Sequence, residues 1–222
     1  MTELLPLFLN LTGRTVVLVG GGPVATAKLR QLLAAGANVR VVAPEITDEI
    51  RDRAADNPPL LTLEQRAFVP ADLNDAWLVV AAATSDVNRC VAEVAEPLRI
   101  FVNAVDDPPN ATAYLSGVVR RDGVTIAIST SGAAPGLTAL IREGIDALLP
   151  RDLASWVWQA RVARVGWRRD GVPMEARKPR LLQALNAIYD KEFFAISAPL
   201  AVPSSERGPR IPWLHAPEDS WL

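Results

Sequence analysis

Cysteine and histidine are nearly missing from this sequence: Cys90 and His215 are the only ones. One thiol cannot close an internal disulfide, and one thiol with one imidazole cannot build a multi-thiolate zinc site or a multi-histidine cage within one chain. No resident metal is expected. A charge excess is also missing. The 23 Lys and Arg against 25 Asp and Glu leave a formal charge of -2, which argues against a general nucleic-acid binder and leaves room only for a local basic face. No apolar run approaches the length of a membrane span. Residues 1–10 hold Glu3 and Pro6, lack a basic leader and run straight into a strand pattern, so they do not read as a signal peptide. A cytoplasmic protein with no membrane partner is expected. What is present is apolar material: half of the 222 residues are hydrophobic and 22% are charged, enough for one good-sized domain with an appendage.

The order of patterns points to an α/β fold. Residues 15–20, Thr-Val-Val-Leu-Val-Gly, form a short continuous apolar run, as expected of a strand buried on both faces. A helical pattern through Val24, Ala27, Lys28, Leu32 and Leu33 follows and stops at Gly36. Residues 38–43 read as a second strand, 46–55 as a helix and 60–63 as a short strand. Residues 77–83 form another apolar run, before a helix at 87–95 and a strand at 100–104. Strands alternating with helices predict a Rossmann-like, doubly wound parallel sheet. After Asp106 the texture changes. Residues 113–120 and 124–129 read as strands joined by Arg121-Asp122-Gly123, where Asp-Gly signals a hairpin. A helix over 136–149 is expected, ended by Pro150, and a helical C-terminal part follows. Leu153, Trp156, Val157 and Ala160 mark one face there, and Leu181, Leu182, Leu185, Ile188 and Tyr189 another. The expected divisions are 1–112, a nucleotide-binding domain; 113–150, a hairpin and helix; 151–196, helical; and 197–222, a Pro-rich tail in which Trp213 and Trp221 offer surface anchors.

Four segments carry chemistry. Gly20-Gly21-Gly22-Pro23-Val24-Ala25 has the Gly-x-Gly-x-x-Ala spacing between a buried strand and a helix, the context of a dinucleotide fingerprint. Gly20 would allow the tight turn, Gly22 the approach of a pyrophosphate, and Ala25 the packing of helix on sheet. Glu45, after Pro44 and about 20 residues on, is placed either to reach a ribose hydroxyl or to cap the helix near Ile46. Arg40 is a candidate for a 2′-phosphate, against which its position within the strand argues. The second segment, Ala81-Ala82-Ala83-Thr84-Ser85-Asp86, ends a strand where a cofactor ring can lie close to backbone, and it also supplies helix caps. The third is Asn103-Ala104-Val105-Asp106-Asp107, again at a strand end. Its carboxylate is either a general base facing the crevice or part of a solvated turn before Pro108-Pro109. The fourth is Ser129-Thr130-Ser131-Gly132-Ala133-Ala134-Pro135, whose hydroxyls and backbone donors either bind carboxylates or cap the following helix.

Taken in order, and with Leu5-Pro6-Leu7-Phe8 at the start and Val87-Asn88 after the second segment, these segments resemble the precorrin-2 dehydrogenase/sirohydrochlorin ferrochelatase family, which includes the N-terminal half of sirohaem synthases. The likeness runs across roughly residues 4–150 and is weaker in the C-terminal third. It implies an NAD-dependent enzyme that oxidises precorrin-2 to sirohydrochlorin, with insertion of ferrous ion to give sirohaem as a further step. It implies NAD at Gly20, Gly21, Gly22, Pro23 and Val24 and near Pro44, Glu45 and Thr84. It also implies Asp106 as the acid/base residue, and Ser129, Thr130 and Gly132 facing the tetrapyrrole. A homodimer is implied, with residues 113–150 serving dimerisation and substrate. Arg161, Arg164, Arg168, Arg169 and Arg180 read first as a solvated helix face, and second as an attraction for substrate carboxylates. No methyltransferase domain follows, so precorrin-2 synthesis is not expected. Two other readings stand beside this one: an NAD-sensing regulatory module without turnover, and a dehydrogenase without chelatase activity.

Overall fold

The computed structural model describes residues 4–196; the expected tail, with Trp213, His215 and Trp221, lies outside the described residues. Five parallel strands form the main sheet: β1 (Thr15–Val19), β2 (Asn38–Val42), β3 (Leu61–Glu64), β4 (Leu78–Ala81) and β5 (Phe101–Ala104), in the order β3-β2-β1-β4-β5. The helices between them are α1 (Pro23–Ala34), α2 (Asp48–Asp56) and α3 (Ser85–Leu98). The doubly wound reading therefore holds. Successive strand side chains alternate between two cores. Val16, Leu18, Val39, Val41 and Val80 meet Ala25, Leu29 and Leu32 of α1 and Ile50 of α2. Val17, Val19, Val79, Ala81 and Val102 meet Val91 and Ala95 of α3, with Leu73. Both faces are covered at the centre of the sheet, which is why β1 and β4 are almost wholly apolar, whereas β2, β3 and β5 carry polar residues such as Arg40, Thr62 and Asn103.

The chain order reverses between β1 and β4, the switch point outside whose carboxyl ends doubly wound sheets take their ligands. Beyond β5 the chain doubles back along the open edge of the sheet. The Thr112 Oγ1 accepts from the Val102 amide at 2.8 Å, and the amides of Thr112 and Ala113 both donate to the Val102 carbonyl at 2.8 Å. The hairpin then follows as β6 (Gly117–Arg121) and β7 (Val124–Ile128), and α4 (Pro135–Leu148) after it. β6 starts four residues later than the pattern of residues 113–120 suggests. The reason is that Ala113 is already bonded to β5, through its amide and through its carbonyl, which accepts from Asn103 Nδ2 at 2.9 Å.

Contacts divide the chain into two compact units. One gathers the chain up to Val118 with Ala127–Glu143; the other gathers Val119–Ile126 with the chain from Gly144 onward. The second unit contains α5 (Leu153–Arg169) and α6 (Met174–Ile196), the expected helical part. Its core polar tie runs from Trp156, whose indole Nε1 donates to the Tyr189 hydroxyl at 2.8 Å, to Asp152, whose Oδ1 accepts from that hydroxyl at 3.1 Å. The two rings meet edge to face at 6.3 Å. Arg161, Arg164, Arg168 and Arg180 are exposed, and Arg169 pairs with Asp170 at 2.8 Å. None of the helices among the described residues is long and apolar enough to cross a membrane.

Candidate functional site

The glycine bend between β1 and α1 is held by backbone on two sides. Gly20 has φ +122°, and a Cβ there would collide with the Ala82 carbonyl; a Cβ on Gly21 would collide with the Glu45 carbonyl. The Gly20 amide donates to the Val42 carbonyl at 3.0 Å, and the Thr47 amide donates to the Gly21 carbonyl at 3.0 Å. Thr26 reaches back as well, its hydroxyl within 3.0 Å of the Gly22 carbonyl and 3.1 Å of the Thr47 hydroxyl. Gly22 differs from its neighbours: nothing lies within 4 Å of where its Cβ would be. Two of the three glycines are thus required by packing, and the third leaves an open approach. Beside that approach α1 begins with Pro23 at its first position, no side-chain cap and no acid in its first turn. A helix N-terminus left free in this way presents its amides and partial positive charge outward. These residues fit the pyrophosphate of a dinucleotide.

Pro44 and Glu45 are exposed beside the bend. The capping role weighed for Glu45 is not what the chain uses. α2 begins at Asp48, two residues later than the expected start, with Thr47 in extended backbone as its N-cap. Arg40 is withdrawn from any phosphate, because its Nη1 donates to the Asp72 carbonyl at 3.2 Å. At the end of β4, Thr84 is the exposed N-cap of α3 and makes no side-chain capping bond. The loop is fixed instead by buried Asn88, whose Oδ1 accepts from the Ala83 amide at 3.2 Å.

The third and fourth segments meet in a cleft of about 340 Å³, within the size range of small-molecule sites. Its walls include Asn103 and Asp106 after β5, Tyr114 from the returning chain, and Ser129, Thr130 and Gly132 before α4. Gly132 has φ +80°, and its missing Cβ would lie 3.6 Å from Pro108 and 3.7 Å from Tyr114. That close approach seats the loop against the turn that carries Asp106. Asp106 itself is exposed and has φ +55°, a left-handed backbone that only Gly, Asn and Asp adopt with ease. Asp107 is engaged within its own turn, where both of its carboxylate oxygens accept from Asn110 Nδ2 at 3.0 Å. The adjacent acids are therefore not equivalent. Asp106 is the free carboxylate of the two.

The loop hydroxyls serve local structure as well as the cleft. Thr130 Oγ1 accepts from the Ala134 amide at 3.2 Å and lies 3.0 Å from the Thr138 hydroxyl, so the capping alternative is realised at this residue. Ser129 Oγ accepts from the Ser131 amide at 3.1 Å.

Three titratable cleft residues escaped the sequence reading: Tyr114, Arg142 and Lys28. Lys28, half-buried on α1, lines the same cleft as Asp106. Burial pushes its ammonium pKa below the ordinary 10.5, while the negative charge of Asp106 works in the opposite direction. A signal was available. Lys28 is the only lysine before residue 178 in a chain that otherwise places arginine at its cationic positions.

Comparison with known proteins agrees with this geometry. A family model described as NAD(P)-binding matches residues 7–117, and a second, sirohaem biosynthesis protein central, matches residues 121–148. Siroheme synthase 3 of Aeromonas hydrophila subsp. hydrophila is 42% identical over 156 residues, covering 69% of this chain and 32% of that protein. Siroheme synthase 1 of Aeromonas salmonicida is 38% identical over 195 residues, covering 82% of this chain and 41% of that protein. The chain thus spans about a third of the length of the first of these relatives. A solved structure, SirC, precorrin-2 dehydrogenase, superposes with a TM-score of 0.64 at 25% identity, covering 86% of this chain and 98% of that one. With half of its length matched by the first model and its central segment by the second, the chain belongs to the NAD(P)-binding family of sirohaem-biosynthesis proteins.

Proposed function

We propose that this protein oxidises precorrin-2 to sirohydrochlorin with NAD. The observation that carries the reading is the shared cleft: the free carboxylate of Asp106 and the loop Ser129–Gly132 line one wall system. The superposition on a precorrin-2 dehydrogenase supports it further. Gly20, Gly21, Gly22, Pro23 and Val24, with Pro44, Glu45 and Thr84 around them, would hold the dinucleotide. When bound, NAD supplies the hydride acceptor, which no side chain can provide.

The chain's own residues bind, orient and move the proton. Loss of a hydride from the substrate leaves one proton to be removed, and the Asp106 carboxylate takes it as general base. Ser129, Thr130 and Gly132 form the wall against which the macrocycle lies, and the cleft accommodates one edge of it. Insertion of ferrous ion into the product is the second step of the proposal. Two pyrrole protons must leave as the ion enters, and Asp106 is the cleft carboxylate available to receive them. Iron is a substrate here, so no permanent cage is required.

The division of labour proposed is residues 1–112 for the nucleotide and 113–150 for substrate and dimerisation, followed by the helical part 151–196 and the tail 197–222. A homodimer is supported by the exposed apolar side chains Leu137, Leu140 and Ile141 on α4. A cytoplasmic location fits an enzyme that draws on the pyridine nucleotide pool. The test is direct. Purified protein with NAD and precorrin-2 is expected to produce sirohydrochlorin and NADH in equal amounts. A protein that binds NAD and never reduces it with this substrate is a sensor instead. Adding ferrous ion to the product scores the chelation step separately.

A further inference from the structure

We infer that Lys28 anchors a carboxylate of the substrate, an inference that rests on the proposed reading of an anionic macrocycle in this cleft. Lys28 lines the cleft wall together with Asp106, Tyr114 and Arg142. A lysine removed from bulk water normally either extends its ammonium to solvent or pairs it with a carboxylate. Lys28 does neither. It is half-buried, and among the described residues its ammonium makes no hydrogen bond and no close ion pair. Asp106 is near enough to be felt as charge and is not in contact.

A half-buried cation without a partner is open to an arriving anion, which gains a charge-assisted hydrogen bond. The other cation of the wall is less available, since Arg142 Nη2 lies 3.3 Å from the Glu143 carboxylate. Tyr114 and Asp107 complete the titratable groups that face the cleft, and Asp107 is engaged with Asn110. Nor does the nucleotide supply the missing anion. The glycine bend, where a pyrophosphate fits, contributes no residue to the cleft walls that Lys28 shares. A side-chain carboxylate of the macrocycle is the anion that remains, and binding it at Lys28 would hold the ring with an edge towards Asp106.

Binding of sirohydrochlorin and of NAD to the full chain, each measured by calorimetry, tests this. Lys28→Met is expected to weaken sirohydrochlorin by about 10- to 100-fold and to leave NAD affinity within about twofold of wild type. Lys28→Arg should recover most of the loss. In the wild type, the Lys28 side-chain nitrogen followed by NMR should titrate at higher pH once sirohydrochlorin is bound. Equal binding of sirohydrochlorin by wild type and Lys28→Met overturns the assignment while sparing the parent reading. An equal loss of NAD affinity overturns it in favour of a phosphate. A wild type that does not bind sirohydrochlorin at all removes the parent reading, and this inference with it.

Discussion

The backbone at Gly20 runs so close to the Ala82 carbonyl that a side chain there would collide with it, whereas the corresponding space at Gly22 is empty. The two glycines should therefore respond differently to the same substitution. Gly20→Ala adds a backbone clash to an unfavourable φ and is expected to destabilise the fold by about 1–3 kcal/mol. Gly22→Ala should cost about 1 kcal/mol or less and should weaken NAD by at least about tenfold, because the methyl occupies the approach. Thermal unfolding with and without NAD, alongside calorimetric titration, separates the two effects.

Asp106 combines a charge with a left-handed backbone. Asp106→Asn keeps the backbone preference and removes the charge, so it should fold normally and lose about 100-fold or more in turnover. Asp106→Ala should lose the same activity and about 1 kcal/mol of stability besides. Removing the charge also removes the influence that raises the Lys28 pKa. The Lys28 ammonium should consequently titrate lower in ligand-free Asp106→Asn than in wild type, which NMR of its side-chain nitrogen checks.

Acid sensitivity should trace in part to Asp72. This carboxylate is 4% exposed, takes a bidentate pair from Arg66 at 2.6 and 2.8 Å, and accepts from the Val69 amide at 2.9 Å. The Arg66 hydrogen bonds hold its pKa below the ordinary 3.8. Its stabilising contribution is therefore complete above the unfolded value and is lost as the pH falls through the lower folded one. Asp72→Asn is expected to cost about 1–3 kcal/mol at neutral pH and to flatten the fall in stability below about pH 4. Denaturant titrations across that range give the slope.

In the helical unit, Trp156→Phe and Tyr189→Phe each break the chain of hydrogen bonds that ends at Asp152. Each should lower stability by about 0.5–1.5 kcal/mol. Because they share one bond, the double variant should lose less than the sum, as a denaturant double-mutant cycle would show.

The sequence made the sheet legible because β1 and β4 are short continuous apolar runs and helical periods follow β1, β2 and β4, so the strands and the bend after β1 stand out in the pattern. Boundaries were less so where one residue does two things. Ile46 looks like the start of a helix, yet it is buried in the core with extended Thr47 still to come before α2. Ala113 reads as strand, yet its bonds go to β5. In the candidate site, Asp106 was readable from its place after a strand, and the Ser129–Pro135 loop from its composition. Lys28 was harder to read: its being the only lysine before residue 178 marks it out, but a lysine on an amphipathic helix is ordinary, and only the packing of the turn after β5 turns that position inward. The fixed role of Asn88 under the Ala83 amide was hidden for a similar reason, since an asparagine in the first turn of a helix gives no sign of which amide of the preceding loop it will hold.

The segment laid along β5 has a consequence for how the molecule behaves in company. The rim of a parallel sheet offers bare amides and carbonyls on which a strand from a neighbouring molecule can grow. Here the Val102 amide and carbonyl, at the centre of that rim, are already satisfied by Thr112 and Ala113. A polymerising contact would first have to peel this stretch away, and with it Tyr114 and the wall it builds. Resistance to clumping and integrity of the binding cleft are thereby fastened to the same few residues.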